Sequence, residues 1–134
     1  MAHQQTAIII GASRGLGAGL VRELASRGWT VIGTERTPSA ELAGAGASSI
    51  ETVDIDDAAS IAALATRMAG RTFDLVFVNA GVTGPEHGSA AQVTPDELGA
   101  LMLTNAVAPV RTARALLPLV RDGGTVAFMS SVLG

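Results

Sequence analysis

Apolar and polar positions alternate along this chain in blocks that change period, and each change falls at a glycine, a proline or a short polar residue. The run from Thr6 to Ile10 is β-rich and ends at a glycine-rich turn, after which Leu16, Leu20, Val21, Leu24 and Ala25 recur at helical spacing up to Gly28. The pattern predicts strand, tight turn, helix. Thr30 to Thr34 predicts a second strand. Thr37, Pro38 and Ser39 then mark a turn, with at most a short helix over Ala40 to Ala43 before Gly44 and Gly46. Ser49 to Val53 predicts a third strand. Asp56 or Asp57 caps the next helix, whose inner face is Ile61, Leu64, Ala65 and Met68 and whose stop is Gly70. Phe73 to Val78 is almost wholly apolar, as an interior parallel strand is, and runs into Asn79, Ala80 and Gly81. Gly84 to Ala91 reads as loop. Thr94, Pro95 and Glu97 have the spacing of a capping box with a first-turn proline, so a long helix is expected from Pro95 to about Val120. A fifth strand, Thr125 to Met129, ends in Ser130 and Ser131.

Regular β-α alternation implies right-handed crossovers, hence one α/β domain over residues 1–134 with a doubly wound parallel sheet and helices on both faces. The chain stops at Gly134, just after a strand that ought to feed another helix. The reading is therefore a truncated domain whose C-terminal strands and helices are missing.

Composition narrows the chemistry. Hydrophobic residues are 48% of the chain and charged ones 16%, which suits a sheet buried on both faces. Nine basic against twelve acidic residues leave a net charge of -3 with no basic run, so nucleic acid is a poor partner. There is no cysteine, which removes disulfides and thiol chemistry. The polar start and the short apolar run behind it resemble neither a signal peptide nor a membrane span, so a soluble cytoplasmic protein is expected. His3 and His87 have no neighbours in sequence that would complete a metal site. The sequence contains no tyrosine and no lysine.

The candidate chemistry lies in the first turn: Gly11, Ala12, Ser13, Arg14, Gly15, Leu16, Gly17. Glycines between a strand and a helix let the backbone turn tightly and let a pyrophosphate approach the first amides of the helix, where the dipole favours anions. The spacing G-x-x-x-G-x-G has no Lys-Ser/Thr end and so is not that of a P-loop. A second signal is Asn105, four residues before Pro109: proline has no N–H for the carbonyl at i−4, so the helix should bend there and leave the Asn105 carbonyl able to hold a water. Asn79, Ala80 and Gly81 are compatible with a simple turn, and Asp54 with a cap.

Taken together, Gly11, Gly15 and Gly17, Asp54 after the third strand, Asn79-Ala80-Gly81 after the fourth, Asn105 in the long helix and the stretch from Gly124 to Ser131 resemble the classical short-chain dehydrogenases/reductases, in their N-terminal portion only. The resemblance implies a sheet of order 3-2-1-4-5 and hydride transfer between a nicotinamide and an alcohol or carbonyl substrate. It implies that Asp54 and Ile55 meet the adenine, that Asn79, Ala80 and Gly81 pass close to the ribose, that Asn105 holds a relay water, and that Ser131 donates to the substrate oxygen with Ser130 supporting the backbone. The family's Tyr and Lys would lie beyond Gly134, so the chain is expected to be part of a longer enzyme. The resemblance also implies a homo-oligomeric parent, with apolar faces of the long helix and last strand open to association.

Cofactor choice divides between neighbours. Glu35, ending the second strand, would bond a ribose 2′-hydroxyl and repel a 2′-phosphate, which favours NAD. Arg14 and Arg36 can clamp a phosphate, which favours NADP provided Glu35 turns away. The two clamps tip the expectation to NADP, with NAD as the alternative; Ser13 and Leu16 complete the expected cofactor contacts. The competing class is a non-catalytic module that binds a nucleotide or a protein partner.

Overall fold

A computed structural model describes residues 3–79 and 90–130. Five parallel strands, β1 (Thr6–Ile10), β2 (Thr30–Glu35), β3 (Ser49–Thr52), β4 (Phe73–Val78) and β5 (Val120–Phe128), form one sheet of order β3-β2-β1-β4-β5. The order is that implied by the resemblance. Alternation along β1 splits the core: Ile8 and Ile10 face one side with Ile32, Val76 and Val78, while Ala7 and Ile9 face the other with Val31. The first side is covered by α3 (Ala58–Arg67) and α5 (Ala108–Leu116) through Ile61, Leu64, Ala113 and Leu116. The second is covered by α1 (Gly15–Ser26) and α2 (Ala40–Ala43) through Val21 and Leu42. Helices therefore lie on both faces, as β-α-β crossovers require.

The expectation that the C-terminal strands and helices are missing is corrected: helix α5 and strand β5 are both present. β5 pairs with β4 from Phe73↔Val120 to Val78↔Phe128, and α5 packs on the α3 side of the sheet. The buried stripe of that helix is Ala108, Pro109, Ala113 and Leu116 with Thr112, whose hydroxyl donates to the Ala108 carbonyl at 2.8 Å. β5 also begins earlier than its apolar pattern suggests. Phe73 pairs with Val120 but Leu75 with Thr125, so residues 121–124 form a bulge, with Gly123 at φ +79°.

The single helix expected from Pro95 to about Val120 is interrupted. α4 (Pro95–Met102) passes into a π-helical turn, Leu103–Val107, before α5. Pro109 sits at the second position of α5 with no amide to offer one turn back, so the regular i→i−4 ladder cannot run through this point. Leu98, Met102, Val107, Val110 and Leu117 are exposed along the same stretch.

At the amino-terminal ends of the strands, Asp74 accepts from the Thr6 amide at 2.9 Å, from His3 Nε2 at 2.9 Å and from Arg121 Nε at 3.2 Å. One carboxylate thus joins the starts of β1, β4 and β5. Among the described residues, no helix is long and apolar enough to cross a membrane.

Candidate functional site

At the opposite rim, the carboxyl ends of β1 and β4 diverge, because β1 leads to β2 on one side and β4 to β5 on the other. A doubly wound sheet opens a crevice at such a point. Here it is a cleft of about 520 Å³, within the range of small-molecule sites, whose walls include Gly11, Arg14, Gly15, Leu16, Glu35, Asp54, Asn79, Thr104 and Met129.

The glycine turn forms its floor. Gly11 and Gly15 adopt φ +83° and +58°, a region that L side chains rarely enter. Gly17 answers a different need: a Cβ there would stand 2.1 Å from the Gly11 carbonyl oxygen and 2.8 Å from Asn79 Nδ2, so only glycine lets α1 start against β1. Neighbouring strands hold the turn. The Gly11 amide donates to Thr34 Oγ1 at 3.1 Å, the Ala12 amide to the Thr34 carbonyl at 2.8 Å, and Asn79 Nδ2 to the Gly11 carbonyl at 3.2 Å. Ser39 Oγ donates to the Ser13 carbonyl, which ties α2 to the same turn.

The start of α1 has no cap of its own, and among the described residues only Glu41, from α2, reaches its first amide, that of Gly15. Its N-cap residue, Arg14, makes no side-chain capping bond, and the first turn holds no acid. By contrast Ser39, Asp57 and Thr94 cap α2, α3 and α4 through side-chain oxygens. An uncapped helix start opening on a cleft is a place for an external anion.

Around this floor stand the other sequence-predicted residues. Glu35 is only 9% exposed, and its Oε2 accepts from the Ser39 amide at 2.9 Å, so the carboxylate organises its own loop. Arg14 and Arg36 are exposed, and among the described residues neither side chain has an ion pair or hydrogen bond. Both border a second arm of the cleft with Ser13, Thr37, Pro38, Ser39 and Glu41. Asp54 Oδ1 accepts from the Asp56 amide at 3.0 Å, and Ile55 is buried in the cleft wall. Asn105 is exposed within the π-helical turn, next to Thr104. Ser130 follows β5 and is exposed. Ala80, Gly81, His87 and Ser131 lie outside the described residues.

Sequence reasoning missed four contributors. Thr34 and Ser39 hold the glycine turn as above. Glu41 Oε1 accepts from the Gly15 amide at 3.2 Å. Thr104 Oγ1 donates to both Asp56 oxygens at 2.9 Å, joining the π-helical turn to the loop after β3. A turn serine at a helix start was a usable signal for Ser39; contacts spanning 26 and 48 residues leave none.

The residues present fit a dinucleotide: the Leu16 and Gly17 amides of a helix start without its own side-chain cap, a glycine floor, and two unpaired guanidiniums at one end. Comparison with known proteins agrees. The chain is 31% identical over 131 residues, covering 96% of itself and 57% of the relative, to a 1-hydroxy-2-glutathionyl-2-methyl-3-butene dehydrogenase of Rhodococcus sp. (strain AD45). It is 36% identical over 128 residues, 89% of itself and 47% of the relative, to a 1-deoxy-11-beta-hydroxypentalenate dehydrogenase of Streptomyces avermitilis. A crystal structure of a carbonyl reductase from Pseudomonas aeruginosa PAO1 in complex with NADP superposes with TM-score 0.90 at 37% identity, covering 96% of this chain and 61% of that one. The chain thus spans about half the length of the curated relatives it matches. The family model for short chain dehydrogenases matches residues 5–134, nearly the entire sequence, which corrects the expectation of a resemblance to an N-terminal portion only. On that match the chain belongs to the short-chain dehydrogenase family.

Proposed function

We propose that this chain binds an NAD(P) dinucleotide in the cleft above β1 and β4 and serves an oxidoreductase acting on an alcohol or carbonyl substrate. The observation that carries the reading is the start of α1, with no side-chain cap from its own N-cap residue and no acid in its first turn, on a floor of three glycines. The amides of Leu16 and Gly17 face the pyrophosphate, Asp54 and Ile55 hold the adenine side, and Asn79, Ala80 and Gly81 bound the ribose. The dinucleotide, when bound, supplies or accepts the hydride. Ser131 steadies the substrate oxygen as charge develops on it, and Asn105 holds a water near the same place. With no tyrosine in the sequence, a phenolic proton donor is not among the groups this chain supplies.

NADP is the favoured form. Glu35 is occupied with the Ser39 amide, whereas Arg14 and Arg36 have no internal partner. The NADP carried by the Pseudomonas carbonyl reductase supports the same choice. Titration calorimetry of the 134-residue chain tests it: saturable binding with NADP tighter than NAD is expected, and no binding of either would remove the reading. The absence of tyrosine and lysine favours one second reading, a nucleotide-binding module without turnover of its own. It predicts the same titration but no change in NADPH absorbance with any carbonyl substrate. The exposed apolar residues of α4 and α5 fit association with another copy.

A further inference from the structure

The arm of the cleft between the glycine turn and α2 carries more charge than a phosphate clamp needs. Arg14 and Arg36 border it, and so does the carboxylate of Glu41. Glu41 does not neutralise either arginine; its Oε1 accepts from the Gly15 amide at 3.2 Å. Its place is set by the backbone around it. Ser39 caps α2 by accepting from the Leu42 amide and at the same time donates to the Ser13 carbonyl, so the second residue of that helix is held over the turn. A fixed anion therefore sits on an amide of the glycine turn, in the same arm as the two cations.

We propose that Glu41 is a specificity-determining residue of this cleft: its carboxylate opposes the extra phosphate of NADP and moderates the preference that Arg14 and Arg36 confer. The inference rests on the dinucleotide reading above. Arginines alone would favour a 2′-phosphate strongly, because each can donate a charge-assisted fork. A negative charge in the same arm acts on the pyrophosphate common to both dinucleotides and, in addition, on the 2′-phosphate dianion that NADP alone carries, so part of its effect is differential. Glu35 lines the main cleft and accepts from the Ser39 amide, and it is not among the residues bordering this arm.

Glu41→Gln keeps the length of the side chain and an oxygen for the Gly15 amide but removes the charge. Calorimetric titration of the parent chain and E41Q with NADP and with NAD is expected to show both tightened, with the NADP to NAD affinity ratio raised by about three- to tenfold. The difference should shrink at high ionic strength, as an exposed charge is screened. Glu41→Ala, which loses the amide contact too, should shift the NADP to NAD ratio in the same direction. Equal shifts for both dinucleotides, weaker NADP binding in E41Q, or a salt-independent ratio would each overturn the role of Glu41. If the parent chain binds neither dinucleotide, the cleft assignment falls and Glu41 with it; if it binds both and the ratio is unmoved, Glu41 alone is removed.

Discussion

The starts of α1 and α4 make opposite choices with the same backbone problem. Each helix begins with amides that have no partner inside the helix. At α4, Thr94 Oγ1 accepts from the Glu97 amide at 3.2 Å, Glu97 returns the bond to the Thr94 amide at 3.3 Å, and Asp96 adds negative charge. At α1 the N-cap is an arginine, the first turn is glycine and leucine, and no acid is present within it. The α4 start satisfies itself, whereas the α1 start supplies no cap of its own at the mouth of the cleft and, among the described residues, meets only Glu41 of α2, at the Gly15 amide. A helix end that omits its cap where three others keep theirs marks a ligand site better than the glycines do, because glycines also serve plain turns.

The contrast can be broken most severely at Gly17. Gly17→Val forces its side chain into the Gly11 carbonyl and should cost about 3 kcal/mol or more in stability, read from the denaturant midpoint, with dinucleotide binding lost. A midpoint shift below about 1 kcal/mol would show that α1 can move away from β1. Next in size, replacing Arg14 and Arg36 together by alanine should weaken NADP by roughly ten- to a hundredfold, and NAD much less. Equal weakening would reject their role at the 2′ position. Thr94→Ala should destabilise the chain by about 1 kcal/mol while leaving NADP affinity unchanged, since Thr94 is not among the residues lining the cleft or its second arm. A fall in NADP affinity there would mean that α4's start and the cleft are coupled. The smallest effect sharpens the comparison: Arg14→Ser gives α1 the cap it lacks, with a gain of about 0.5 kcal/mol in stability and weaker NADP binding. Unchanged stability in the same urea series would mean that the α1 amides already have adequate partners.

What the chain's pattern conveyed was local. Strands β1 to β4 are legible because each apolar run is bounded by turn residues, and Asp57 and Thr94 are found as caps from two or three residues of context. β5 and the long helix were misjudged where a local rule meets a neighbour. The bulge at residues 121–124 follows from pairing with β4, and the π-helical turn lets the chain pass Pro109 without ending the helix. In the site, Gly11, Gly15, Arg14, Glu35, Asp54 and Asn79 line one cleft. Thr34, Glu41 and Thr104 were not visible, because each acts on a residue more than twenty positions away. The direction of the Glu35 carboxylate, on which the cofactor argument turns, is likewise decided by the Ser39 amide rather than by composition.

The carboxylate of Asp74 has a consequence for how this fold can drift. Since three strand starts converge on one side chain, the rim away from the cleft behaves as a single rivet: replace it and β1, β4 and β5 lose their anchor together. The glycine rim is stitched by separate bonds from Thr34, Ser39 and Asn79, so its threads can be exchanged one at a time. Novelty in ligand choice therefore has many small doors at one end of the sheet, and a single hinge pin at the other keeps the frame square.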